Sequence, residues 1–126
     1  MAFRRRASAV IIKDNQILMV KISDQGKSWW CLPGGTIEPD ETPEQAILRE
    51  LYEELNLNLK PRQRLYEAPM PHESGVDYGI LVDLPPCIPS LGVDRAVIEW
   101  AWHPLGENTD SWQIDEVRKA LVGKET

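Results

Sequence analysis

A chain of 126 residues, 42% of them hydrophobic, can enclose one core and therefore one site. Its net charge of -6 argues against a protein that grips a nucleic-acid polymer by its phosphates, which needs a surplus of Lys and Arg; a small anionic substrate stays compatible if a metal supplies positive charge. Cys31 and Cys87 lie far apart without metal-ligand spacing and read as reduced thiols, no apolar run approaches the ~20 residues of a membrane span, and Met1 to Arg6 lacks the apolar stretch of a signal peptide, so the expected location is the cytoplasm.

Taken in chain order, Ala7 to Ile12 and Ile17 to Ile22 are two β-prone runs around Lys13, Asp14, Asn15 and Gln16, and read as a hairpin whose Asp-Asn centre tolerates a left-handed backbone. A polar loop is expected from Ser23 to Ser28, then a short strand from Trp29 to Leu32 that stops at Pro33, Gly34 and Gly35. A helix follows from Pro43 to Leu55. Strands are predicted at about Arg62 to Glu67, Val76 to Leu84 and Ala96 to His103, with a Pro- and Gly-rich loop from Pro85 to Gly92. The spacing of Trp112, Ile114, Val117, Leu121 and Val122 predicts a closing amphipathic helix over Ser111 to Val122. Strands on either side of one central helix, with a second helix at the end, indicate a mixed α/β sandwich in one domain over residues 1–126.

The central helix carries the most informative pattern. Thr42, Pro43 and Gln45 supply an N-cap, a proline at the first helical position and the reciprocal capping-box residue, and Asn56 accepts the left-handed conformation common just past a helix. At 100° per residue, Ile47, Leu48, Leu51 and Leu55 form a core-facing arc, while Glu50, Glu53 and Glu54 share a second face beside the small Ala46. Like charges at these spacings repel by a few tenths of a kcal/mol per pair. Glu53 and Glu54 also lie in the last turn, where the helix dipole favours cations. A violation of local rules amid otherwise consistent signals marks a functional site. A bound divalent cation reverses the sign of the cluster, and carboxylate oxygens are what hard Mg²⁺ selects. A solvated acidic face is the plain alternative for the helix taken alone.

Upstream context decides between them. Gly35, five residues, Glu41, seven residues, then Arg49, Glu50, Leu51, Tyr52, Glu53, Glu54, Leu55, Asn56 and Leu57 strongly resemble the Nudix box, residues 35–57, with its usual prelude here as Trp30, Cys31, Leu32, Pro33, Gly34 and Gly35. The family usually has glycine where this chain has Asn56. The resemblance implies a Nudix-like α/β/α sandwich with a mixed β-sheet and the box helix over the site. It also implies Mg²⁺-dependent hydrolysis, with Mn²⁺ able to substitute, of the pyrophosphate bond in a nucleoside diphosphate linked to another moiety, such as a nucleotide sugar, ADP-ribose, a dinucleotide or a nucleoside triphosphate. A nucleoside monophosphate is released. Carried over by position, Glu50, Glu53 and Glu54 are metal ligands with the Gly34 carbonyl, Arg49 orients a glutamate, and Glu41 and Gly35 support the shell around them, Glu41 alternatively holding a further ion through water.

The general base varies within the family, and the candidates here are Glu53 and Glu99. Arg6, Trp30 and Tyr78 are candidate substrate contacts, although an exposed basic terminus for Arg4 to Arg6 and a core role for Trp29, Trp30, Tyr78 and Trp102 are the plainer readings. His72 and Asp77 read as ordinary surface-loop residues. The expected partner is a small nucleoside diphosphate derivative, with no nucleic-acid polymer and no membrane, acting on a monomer or homodimer. The competing readings are a catalytically silent nucleotide sensor of the same fold, a prenyl diphosphate isomerase, whose additional cysteine and acids have no place here, and a calcium module, which needs its acids in a loop rather than on a helix.

Overall fold

A computed structural model describes residues 3–106 and 111–125 of the chain. Strands β1 (Arg4–Val10), β2 (Ile12–Lys13), β3 (Gln16–Asp24), β4 (Lys27–Cys31) and β5 (Gly34–Thr36) precede helix α1 (Pro43–Leu55); β6 (Pro61–Pro69), β7 (Gly75–Val82), β8 (Val97–Pro104) and helix α2 (Trp112–Glu125) follow. They form two four-stranded sheets. The first runs β5-β1-β7-β6 and is mixed, because β1 and β7 are parallel while the outer pairs are antiparallel. The second is antiparallel and built on β3, which pairs with β2, β4 and β8.

The apolar runs of β1 and β3 carry no polar alternation because both of their faces are covered. Ala7, Ala9, Leu18 and Val20 pack with Ile47, Leu51 and Leu55 of α1, whereas Val10, Ile17 and Met19 pack with Ile114 and Val117 of α2. The sheets are thus a layer between two helices, as the α/β/α expectation requires. No helix among the described residues is long and apolar enough to cross a membrane.

Several details differ from the sequence reading. The run from Ala7 to Ile12 is split between the sheets: β1 joins β5 and β7, and only the two-residue β2 forms the hairpin with β3. The turn itself is as expected, with Asp14 and Asn15 at φ 51° and 63°. The segment read as a polar loop from Ser23 to Ser28 is a second hairpin, β3 to β4, turning at Gln25 and Gly26 with φ 50° and 80°. Its polarity reflects exposure of the hairpin end, where residues 24–29 are solvent-facing. The expected mixed sheet is β5-β1-β7-β6, and a second, antiparallel sheet accompanies it, since pairing partners are set by long-range register that local periodicity does not encode.

Candidate cation site and adjoining cavity

The box helix begins and ends where its local signals place it. Gln45 N donates to Thr42 Oγ1 at 3.1 Å while Thr42 N donates to Gln45 Oε1 at 2.9 Å, and Asn56 caps the far end at φ 55°, ψ 35°. Burying Ile47, Leu51 and Leu55 against the sheets fixes the rotation of the helix. That rotation turns Glu50 and Glu54, one helical turn apart, into the interior, where they are 8% and 2% exposed. No basic residue occupies the last turn.

Oxygens of Glu50, Glu54 and Asp94 lie within 4.8 Å of one another. Burial first, and the charge of Glu50 second, push the Glu54 carboxyl up to about 8, against the pull of Arg6 and of the Gly34 N–H, which donates to Glu54 Oε1 at 2.9 Å. Burial likewise raises Glu50, opposed by Arg49. Three converging carboxylates, two of them buried, form an all-oxygen donor set that a hard divalent cation would neutralise, so the residues fit such an ion.

Arg49 organises the outer side of this cluster. Its guanidinium donates to both oxygens of Glu41 (2.8 and 2.9 Å), to Glu50 Oε1 (2.9 Å), to Glu53 Oε1 (3.4 Å) and to the Thr36 carbonyl (3.1 Å). Those hydrogen bonds hold the Glu41 carboxyl down to about 2. The fork ties the helix to the loop before it, and one charged group fixes three glutamates. The two glycines allow the close approach. A Cβ on Gly34 would strike the backbone of Ala7, and one on Gly35 would stand 2.5 Å from Glu50 Oε1.

Asp94 was absent from the sequence reading. It sits between β7 and β8, just past the Pro- and Gly-rich loop expected from Pro85 to Gly92. Ser90 N, Gly92 N and Asp94 N donate to the carbonyls of Leu55, Glu54 and Glu53, so the loop satisfies the orphan acceptors at the helix end. Asp94 Oδ1 in turn accepts from Ala96 N at 3.0 Å. Glu53, expected to share the ligand face, stands outside the close group. Its side chain is 35% exposed and touches Arg49 at 3.4 Å. Glu99 lies on β8 opposite Lys21, pairs with it at 3.4 Å and is 57% exposed, so the structure does not bring it into the cluster.

A cavity of about 710 Å³ opens nearby, lined by Arg6, Trp29, Trp30, His72, His103 and Trp112 among others. Arg6 connects it to the carboxylates: it donates to the Leu32 carbonyl at 2.9 Å, two residues before Gly34, and its charge acts on Glu54. Trp30 meets His103 edge-on at 4.6 Å. Tyr78, by contrast, is flanked by the guanidiniums of Arg5 and Arg64 at 5.5 and 5.3 Å and is not part of this wall. Trp102 packs against the α1 core.

Behind Arg6 lies a buried polar network. Asp77, read from the sequence as a surface-loop residue, is 0% exposed: it lies on a central strand, and Ser8, Tyr66 and Gln113 of α2 close over its carboxylate. Its carboxylate accepts from Ser8 Oγ (2.7 Å), Tyr66 OH (2.6 Å) and Gln113 Nε2 (2.9 Å). Gln113 Oε1 accepts from Leu32 N, and Arg6 Nε donates to Ser8 Oγ. One network thus fixes Arg6 and the Leu32 segment that leads into the glycines of β5.

The fold and site define an α/β/α domain in which two glutamates of one helix and an aspartate of the β7–β8 loop form an acidic cluster with an aromatic cavity beside it. A family model described as NUDIX domain matches residues 2–121, and the chain belongs to that family. It is 34% identical over 95 residues to a MutT-like protein of Streptomyces ambofaciens, an alignment covering 74% of this chain and 56% of the relative, so the chain spans about half the length of that curated relative. In fold it is similar to a MutT protein from Methanosarcina mazei Go1, with a TM-score of 0.79, 20% identity and coverage of 98% and 96% of the two chains. It is also similar to a bifunctional NMN adenylyltransferase/ADP ribose pyrophosphatase from Francisella tularensis, solved with AMP and a Mn ion. That match has a TM-score of 0.72, 27% identity and coverage of 98% of this chain and 42% of that one.

Proposed function

We propose that this protein is a Mg²⁺-dependent hydrolase, with Mn²⁺ able to substitute, that cleaves the pyrophosphate bond of a nucleoside diphosphate linked to another moiety and releases a nucleoside monophosphate. The observation that carries the reading is the close approach of Glu50, Glu54 and Asp94 oxygens, two of these side chains buried, beside the glycines of β5. The ADP ribose pyrophosphatase activity and Mn ion named for the Francisella tularensis relative support the same class.

Glu50, Glu54 and Asp94 would hold the ion together with the Gly34 carbonyl. When bound, it supplies charge neutralisation at the phosphoryl oxygens. Arg49 and Glu41 keep Glu50 in place, while Gly35 leaves the space its carboxylate fills. Arg6, on the wall between cavity and cluster and held by Ser8 and the Leu32 carbonyl, would bind a substrate phosphate. Trp30 offers a flat face for the base.

Water attacks one phosphorus, the bond to the bridging oxygen breaks, and the bridging oxygen leaves on the second phosphate. Glu53 is the carboxylate assigned to take the proton of that water, since Arg49 holds it by one long contact and more than a third of it faces solvent. The free thiols, Cys31 half-buried and Cys87 exposed, suit a reducing compartment, and we place the protein in the cytoplasm.

The test is a panel of ADP-ribose, dinucleotides, nucleotide sugars and nucleoside triphosphates, with Mg²⁺, with Mn²⁺ and with chelator. Monophosphate release that needs the ion is expected. A flat panel from a protein that still binds the ion and a nucleotide would establish the sensor reading in its place.

A further inference from the structure

We propose that Asn56 is a positioning residue: its carboxamide pins the 90–94 loop so that Asp94 meets Glu50 and Glu54. The inference rests on Asp94 acting as a ligand in the function proposed above. Asn56 occupies a left-handed conformation at which glycine is at ease, yet glycine would offer no side chain. Here Asn56 Nδ2 reaches Ser90 Oγ at 3.0 Å, the Leu91 carbonyl at 3.1 Å and the Ser90 carbonyl at 3.4 Å.

Ile88, Leu91 and Val93 are 80%, 46% and 75% exposed, and of the apolar side chains from 88 to 93 Pro89 is the buried one. The polar anchors are the three amides of Ser90, Gly92 and Asp94 on the carbonyls of Leu55, Glu54 and Glu53, the amides of Ala96 and Val97 on Asp94, and the Asn56 tether at the point where the loop first meets the helix. Gly92 must stay bare for this contact, because a Cβ there would strike the Glu53 and Tyr52 carbonyls. The backbone that presents Glu53 and Glu54 is therefore the backbone on which Asp94 is hung. Asn56 sets the register of the two segments. A loop slipping along the helix end would carry Asp94 away from its partners even with every glutamate in place.

Asn56→Gly is the informative variant, because it keeps the left-handed cap and removes only the tether. In the metal-free protein, NMR amide exchange at Gly92 and Asp94 should quicken about tenfold, the factor that 1.4 kcal/mol represents, with the α1 interior unchanged. Mn²⁺ affinity by calorimetry should fall by about tenfold, the lower bound typical of groups that orient a ligand, while the melting temperature stays near that of the parent. Ser90→Ala should do the same to a smaller degree. Asp94→Asn should weaken Mn²⁺ binding, and adding Asn56→Gly to it should weaken it no further. Parent-like Mn²⁺ affinity in Asn56→Gly, or an equal loss on the Asp94→Asn background, overturns the proposal. Parent-like Mn²⁺ affinity in Asp94→Asn itself overturns the ligand assignment on which the proposal stands, and loop exchange in Asn56→Gly then reports a structural tether alone.

Discussion

Replacing Glu54 by Gln should make the metal-free protein more stable and the enzyme inactive. The amide can keep the 2.9 Å bond from Gly34 N through Oε1, and its NH₂ can donate to the carboxylates of Glu50 or Asp94 that the native side chain repels. In the folded protein the Glu54 carboxyl is raised from the ordinary 4.5 to about 8. A folded-state value above the unfolded one means that the native state holds its proton more tightly, so the contribution of Glu54 is full below pH 4.5 and is lost as pH rises through 8. At about 1.4 kcal/mol per pH unit, the loss is at most about 5 kcal/mol by pH 8.5 and under about 1 kcal/mol at pH 5. Urea unfolding in chelator across pH 5 to 9 should therefore show parent and variant converging at the acid end and the variant ahead at the alkaline end. Turnover of the variant should fall by on the order of 100-fold or more, since even groups that merely orient metal ligands cost 10- to 100-fold. A Gln variant no more stable than the parent at pH 8.5 would refute the reasoning, because burial of an unneutralised carboxylate would then carry no penalty.

Other outcomes follow from the same geometry. Gly35→Ala puts a methyl 2.5 Å from Glu50 Oε1, and should lower kcat while costing about 1–3 kcal/mol in thermal unfolding; a variant with parent-like kcat would show that Glu50 has room to spare. Arg49→Lys keeps the charge but loses the fork on Glu41 and the reach to Thr36, so kcat should drop about 10- to 100-fold and the apparent Mg²⁺ requirement should rise. Tyr66→Phe removes the 2.6 Å donor to buried Asp77 and should cost about 1–3 kcal/mol in urea unfolding, a figure that a loss below about 0.5 kcal/mol would contradict.

Helix α1 was fully legible because each of its signals is local: Thr42, Pro43 and Gln45 at one end, Asn56 at the other, and a core arc between them. Its acidic face was legible as a conflict, since nothing within the helix neutralises glutamates at the negative end of a dipole. Asp94 was not legible. It reaches the cluster through amides of Ser90, Gly92 and Asp94 docking on helix carbonyls some forty residues away in sequence, and Gly92, Val93, Asp94 and Arg95 read locally like any surface loop. Glu99 attracted notice as an acid on a late strand, but the register of β8 against β3 turns it to Lys21 and solvent. Asp77 stood among the Gly, Ser and His residues of an apparent loop. It becomes interior because β7 is a central strand whose face here is covered by Tyr66 and by Gln113 of α2, which with Ser8 are its donors, all distant in sequence. What sequence encodes well here is what neighbours along the chain decide.

The most direct test of the account is a crystal structure with Mn²⁺ and a non-hydrolysable dinucleotide, read by anomalous scattering. An ion bonded to oxygens of Glu50, Glu54 and Asp94, with a phosphate of the ligand beside it and Arg6, is the predicted result. An anomalous peak at some other acidic group, or none at a concentration that supports turnover, would contradict it.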